Sequence, residues 1–141
     1  MPPVPVSSIP FILDNFLIQK FPGTVVICQG VQGKPPPRNL WMRTICKTGE
    51  QIDMEKGLEG YSRRVGVYLI DISAPLPKKP VDAWKLAEQV ENAFRRESIE
   101  GIQIEDPKSE NMGVDSDNDS FRVRVNVPWW CWAGKTTPAE P

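Results

Sequence analysis

Residues 120–127, SFRVRVNV, alternate strictly between apolar and polar side chains. This period of two is typical of a β-strand, because successive side chains point to opposite faces of a sheet. Phe121, Val123, Val125 and Val127 would then face a core, whereas Arg122, Arg124 and Asn126 would face outward. The segment therefore predicts a sheet with one apolar and one polar face.

Four further segments predict the other strands of this sheet. LWMRTICK (40–47) would place Trp41, Arg43 and Ile45 on one face, and YSRRVGVYLIDIS (61–73) is the longest predicted strand. TVVICQ (24–29) is rich in β-branched residues, and IQI (102–104) predicts a brief strand. Residues 48–60 and 105–119 are predicted to be acidic loops.

Two segments carry apolar residues at helical spacing instead. SSIPFILDNFLIQKF (7–21) ends at Pro22–Gly23 and carries one apolar stripe, which consists of Ile9, Ile12, Leu13, Phe16 and Leu17. Residues 81–96 predict the second helix, with Asp82 and Arg95 placed favourably for its dipole. Its expected apolar stripe consists of Trp84, Ala87, Val90, Ala93 and Phe94.

The predicted order of elements is α-β-β-β-α-β-β. Three consecutive strands flanked by helices favour an α+β fold, a two-layer sandwich with a mostly antiparallel sheet and both helices on one face. Its other sheet face must meet solvent or another subunit. We expect one domain over residues 1–132 and a flexible C-terminal tail over residues 133–141.

Composition argues against most kinds of chemistry. The chain has 141 residues, no histidine and a net charge of −1, so the commonest general base is absent and the whole molecule has no electrostatic attraction to nucleic acid. Cys28, Cys46 and Cys131 are scattered, which favours reduced thiols over zinc ligands. No apolar run approaches the ~20 residues of a membrane helix, and the N-terminus lacks the pattern of a secretory signal. We expect no enzyme activity, no cofactor, no metal and no membrane association.

Three motifs have competing interpretations. Asp115, Asp117 and Asp119 have the spacing of calcium ligands, but Ser120 replaces the turn glycine, which favours a solvated turn. KPPPR (34–38) could be a polyproline ligand, although a stiff exposed loop is the favoured interpretation. A peptide- or RNA-binding module is a further alternative, but Tyr68 is the one aromatic candidate on the long strand.

Charge placement indicates an interface. Residues 97–119 hold eight carboxylates and one lysine, whereas the arginines lie on predicted strands beside tryptophans. Outward arginine and tryptophan are typical of contact surfaces between proteins. The candidate subunit or partner interface consists of Arg38, Trp41, Arg43, Arg63, Arg64, Arg122, Arg124, Trp129 and Trp130.

The order of these motifs resembles a known protein family. A proline loop runs into LWMRT, an acidic loop leads to RRVGVYLIDISAPLP, AWKLAEQVENAFR follows, and a late strand ends in aromatic residues. Over residues 9–132 this order is similar to the tail terminator and minor tail proteins of long-tailed bacteriophages. Arg43, Arg64, Gly66, Pro75 and Phe94 are among the positions that carry the similarity.

The resemblance implies a structural virion protein. Such proteins form a ring of six copies at the head-proximal end of the tail, after assembly in the host cytoplasm. The ring caps the tail tube, stops its polymerisation and joins the tail to the head connector, and DNA passes through the lumen without specific binding. A head-completion or connector protein of the neck is the alternative role in the same particle. Because carboxylates do not hold phosphates, we expect Asp115, Asp117 and Asp119 to form an acidic loop that faces the lumen.

Overall fold

The computed structural model describes residues 3–53, 62–115 and 120–133, with side chains described outside residues 50–53. A short 3-10 turn at Val6–Ser8 leads into the first helix. The helices are α1 (Ile9–Lys20) and α2 (Pro80–Phe94). The strands are β1 (Val25–Ile27), β2 (Trp41–Asp53), β3 (Ser62–Pro75), β4 (Ser98–Ile99), β5 (Ile102–Ile104), β6 (Lys108–Asp115) and β7 (Ser120–Trp132).

The seven described strands form one sheet in the order β1-β2-β3-β7-β5-β4, with β6 paired to β7 beside β5. The β1–β2 pair is parallel and the other pairs are antiparallel. The long pair β3–β7 runs in register from Arg63↔Trp132 to Pro75↔Ser120. This α+β fold confirms the predicted class and the predicted succession of helices and strands.

Both helices cover the same face of this sheet. Leu13 and Leu17 of α1 and Val90 and Phe94 of α2 are fully buried in one core. The rings of Phe16 and Phe94 lie 4.9 Å apart and tie the two helices together. The core residues of β2 and β3 are even-numbered, and those of β7 are odd-numbered, as the alternation in β7 predicts. β4 and β5 add Ile99, Ile102 and Ile104 to this core.

The apolar stripe of α2 differs from the prediction in two members, because Ala83 and Leu86 are buried in place of Trp84 and the half-buried Ala93. Trp84 is 39% exposed, whereas Leu86 and Ala83 are buried. Ala83, Leu86, Ala87, Val90 and Phe94 follow a regular helical spacing. Trp84 is next to this stripe, about 100° around the helix, and this places it at the solvent boundary.

Two predicted loops contain strands. β2 continues to Asp53 through an irregularity in register between Thr48 and Gln51, and residues 54–60 of that predicted loop lie outside the described part. β6 and the brief β4 occupy part of the acidic region after α2. Hydrophobic alternation could not identify β6, because its exposed sequence KSENMGVD supplies no apolar face.

Pro128 lies inside β7, although the sequence predicts that it ends the strand or marks an edge. The Pro128 carbonyl accepts a hydrogen bond from the Glu105 N–H on the β5–β6 side. The nitrogen and carbonyl of a strand residue point to the same side, so the missing N–H of proline removes no bond to β3. It falls instead in the gap between β5 and β6, where the ladder is interrupted.

Candidate functional site

The candidate site is the sheet face opposite the helices, here called the open face. It presents the odd-numbered residues of β2 and β3 and the even-numbered residues of β7. No described helix packs on it, and the long side chains of its own strands cover it in part. The register arranges these side chains in rows across the strands, so strand pairing determines which of them meet.

The central row of the open face contains a charged pair. Arg43, Asp71 and Arg124 are register partners across β2, β3 and β7, and Glu110 of β6 follows Arg124. Arg124 donates from Nε at 2.7 Å and from a terminal nitrogen at 3.1 Å to the two carboxylate oxygens of Asp71. Asp71 is buried, and its hydrogen bonds raise the pKa of the Arg124 guanidinium, which stays protonated.

One end of the open face carries Trp41 and the proline loop. The Arg43 guanidinium lies 5.1 Å from the Trp41 ring centroid, a cation–π distance. Lys34 and the three prolines that follow it enclose, with Trp41, a cleft of about 340 Å³. Arg43, Arg122 and Asp115 also line this cleft, so its charged lining has more cations than anions.

The opposite end of the open face carries the last two tryptophans. Trp130 and Trp132 meet edge to face with ring centroids 5.7 Å apart. The Arg63 guanidinium stacks over the Trp130 ring at 4.4 Å, and its terminal nitrogen lies 3.8 Å from a Glu105 carboxylate oxygen. We call Arg63, Trp130 and Trp132 the tryptophan patch.

The structure separates the predicted interface residues into three groups. Trp41, Arg43, Arg63, Arg122, Arg124 and Trp130 lie on the open face. Arg38 lies on an exposed loop before β2, and Arg64 lies on the helix side of β3, where its register partner is Cys131. Trp129 is 2% exposed and belongs to the core, which corrects its assignment to an interface.

Trp129 is in the core because β7 alternates without interruption through Pro128. Its indole occupies the space above Gly66 of β3, where an added Cβ would lie 2.3 Å from Trp129 Cζ2. Trp130 and Trp132 take the other phase of the strand and are half-buried. The tryptophan cluster is thus divided between core and surface.

The three aspartates of the predicted lumen loop do not form a unit that the structure describes. Asp115 is the last residue of β6 and lies 4.0 Å from Arg122, at the cleft of the open face. It therefore belongs with the open-face residues and not with an acidic loop. Asp117 and Asp119 lie outside the described residues.

The sequence did not reveal a buried polar cluster beneath α1. Asp14 Oδ1 accepts hydrogen bonds from the Tyr68 hydroxyl and, at 2.9 Å, from Thr44 Oγ1. Burial, together with the Asp14 carboxylate, raises the pKa of Cys46 to about 11 and raises the pKa values of Tyr68 and Cys28. These groups stay neutral, and their arrangement ties α1 to β2 and β3. Asp14 lies outside the predicted apolar stripe of its helix, so the helical spacing alone could not predict this contact.

The described residues also bear on metal binding and on membrane association. Within residues 3–53, 62–115 and 120–133, no group of histidine, cysteine or carboxylate side chains could hold a metal ion. Neither described helix combines the length and hydrophobicity that spanning a membrane requires. The groups brought together on the open face can stack on another surface and pair with its charges, as Arg43, Arg63 and Arg124 do within the chain.

Comparisons with known proteins support the fold. No family model matches the chain, and no curated protein matches it. Among solved structures, the chain is similar to a protein known by a serial designation, with a TM-score of 0.62 and 13% sequence identity over 94% of each chain. At this identity the similarity shows the fold alone.

Proposed function

We propose that this protein is a structural assembly protein whose open face is covered by neighbouring copies. The observation that carries the proposal is the composition of that face. Three tryptophans lie there beside four arginines, with cation–π contacts at Trp41 and Trp130. Tryptophan and arginine dominate the binding energy of protein interfaces, because each covers a large area and can also form directed contacts.

The particular role that we propose is that of a bacteriophage tail terminator. The resemblance of the motif order over residues 9–132 supports this role, and a single α+β domain is compatible with it. In this proposal a ring of copies, six by the resemblance, caps the tail tube and meets the head connector. DNA passes through the lumen, and with an overall charge of −1 per chain the ring has no net electrostatic attraction to it.

The arrangement of charges on the open face suits a contact between copies. Asp71 is buried and the Arg124 side chain is 26% exposed within one protomer, so a neighbour that covers this pair adds only part of its desolvation cost. Arg43 is exposed and is not an ion-pair partner of any described carboxylate, which leaves its charge available to a neighbour. We therefore expect Arg43 to lie at the contact.

The first test is the mass of the purified protein in solution, measured by light scattering at micromolar concentration. The wild-type protein should form a multimer, and Arg43→Glu should shift it towards the monomer. Lys85→Glu is the matched control, because Lys85 is an exposed cation on α2, away from the open face. A wild-type monomer would overturn the proposal, and an unchanged Arg43→Glu multimer would exclude Arg43 from the contact.

The second test addresses the role in the particle. Added to growing tail tubes, the wild-type protein should limit their length and appear at one end in negative-stain images. Arg43→Glu should lose this activity together with the ring. Tubes of unchanged length with the wild-type protein would contradict the terminator role and leave a neck role for a ring-forming protein.

A further inference from the structure

The two ends of the open face carry chemically complementary groups. At one end lies the basic, proline-rich segment from Lys34 to Arg38, and at the other lies the tryptophan patch, whose Arg63 pairs with Glu105. Asp106 follows Glu105 in the sequence. We propose that the 34–38 segment of one copy docks on the tryptophan patch of the next copy. The inference rests on the proposed assembly function and specifies the contact that would build it.

The segment has the properties of a preformed ligand. Each of residues 34, 35 and 36 precedes a proline, which restricts it to extended backbone. Lys34, Pro35, Pro37 and Arg38 are exposed. A segment that is stiff before binding loses little conformational entropy when it docks, and proline-rich segments bind in this way to surfaces lined by aromatic rings.

The tryptophan patch has the properties of the matching receptor. The edge-to-face arrangement of Trp130 and Trp132 holds two indole surfaces at 90° to each other, and a proline ring packs well against such surfaces. Arg63 fixes the orientation of Trp130 by stacking on it. The patch is thus ordered before a ligand arrives.

Charge complementarity orients the docked segment. Lys34 and Arg38 flank the prolines, and the carboxylates of Glu105 and Asp106 are 58% and 65% exposed. Their intramolecular partners, Arg63 and Arg96, lie at 3.8 Å in both cases. Exposed pairs of this kind contribute little to stability, so the two carboxylates can exchange these partners for a cation of the neighbouring copy.

The distance between the two ends requires that the contact joins separate copies. The cleft at the proline segment includes Ser73, whereas Trp130 pairs with Val65. Eight strand residues separate these positions, which corresponds to roughly 26 Å. A copy cannot place its own segment on its own patch, and a contact between two different surfaces is head-to-tail, which closes into a ring when the rotation allows.

The test uses two variants that each disable one side of the contact. Arg38→Glu alters the segment and Glu105→Arg alters the rim of the patch, and both residues are exposed. Each variant alone should weaken self-association about tenfold or more. An equimolar mixture should recover the wild-type mass, because copies of the two variants that alternate bring opposite charges together at every contact. Lys85→Glu is the matched control for charge reversal.

Further measurements separate the inference from the proposed function. The double variant Arg38→Glu with Glu105→Arg should recover the wild-type mass, because the charges are exchanged across every contact. Trp130→Ala should disrupt assembly, whereas Trp84→Ala on α2 should not. A wild-type multimer that both single charge variants leave intact would overturn this inference and leave the assembly function standing. A wild-type mass of two protomers would overturn the head-to-tail arrangement, and a wild-type monomer would overturn the assembly function itself.

Discussion

On the helix side of β3, Tyr68, Ile70 and Ile72 are fully buried, whereas on the open side Asp71 lies between Leu69 and Ser73. Both sides of this strand are shielded from water, but by different means. Helices cover the first side, and the second is covered by long side chains from neighbouring strands and by the proline loop. Burial alone therefore does not distinguish the two faces.

The chemistry of the titratable groups does distinguish them. Beneath the helices, burial raises the pKa values of Tyr68 and Cys46, so these groups remain neutral. On the open face, Arg124 is held in its charged form by Asp71. A neutral acid suits a permanent core, because an isolated buried charge is costly. A paired charge with part of its surface exposed suits a face that a partner can cover or leave.

The largest effect should come from the core under the helices. Phe94→Ala removes a fully buried ring that contacts Phe16 and Tyr68, and it should reduce the free energy of unfolding by about 3–5 kcal/mol. Trp84→Ala on the same helix should cost much less, since Trp84 is substantially exposed. Chemical denaturation of both variants measures the difference. Similar losses for the two would mean that α2 packs on the sheet with a different face.

An intermediate effect should come from the central pair of the open face. Asp71→Asn keeps the shape of the side chain and removes the charge that Arg124 contacts. It should reduce the free energy of unfolding by about 1–3 kcal/mol, because Arg124 then lacks its charged partner at a partly buried site. Arg95→Gln, which breaks the exposed pair with Glu91 on α2, should cost less than about 0.5 kcal/mol.

Urea denaturation of these two variants sharpens the comparison between the faces. Equal losses in the free energy of unfolding for Asp71→Asn and Arg95→Gln would show that the charged pair on the open face contributes no more to stability than an ordinary solvent-exposed pair. The open face would then not be an interface that is preorganised within one protomer.

The parts of this fold that were predictable are those in which one side of an element differs from the other. The alternation in SFRVRVNV predicts a strand and its faces correctly, because only one register buries the valines. The stripe of α1 was predictable for the same reason. The long β3 segment was also predicted as a strand. Trp84 was misassigned because it lies at the border of a stripe, where spacing alone cannot decide.

The remaining features depend on pairing between distant residues. β6 forms a strand because it pairs with β7, and its own sequence has no pattern that predicts a strand. The Asp71–Arg124 and Asp14–Tyr68 contacts join residues more than 50 positions apart. The β3–β7 register brings the first pair together, and the packing of α1 on the sheet brings the second pair together. Strand prediction placed Arg124 outward, but it could not identify the partner.

The smallest expected effect is the pH dependence of stability that comes from Cys46, a neutral group on the covered face. The pKa of Cys46 in the folded protein is about 11, compared with an ordinary value of 9.0. Between these values the unfolded chain loses the thiol proton that the folded protein retains. Unfolding then releases a proton, so the contribution of Cys46 to stability is complete below pH 9 and declines as the pH rises towards 11.

We expect a decline of less than about 1 kcal/mol per pH unit, because the thiol is partly exposed. Denaturant titrations of the wild-type protein and of Cys46→Ser from pH 8 to pH 10 measure it, and the variant should show the shallower decline. Equal slopes would mean that the thiol is solvated in the folded protein, and the contrast between a neutral covered face and a charged open face would then rest on Tyr68 and Cys28.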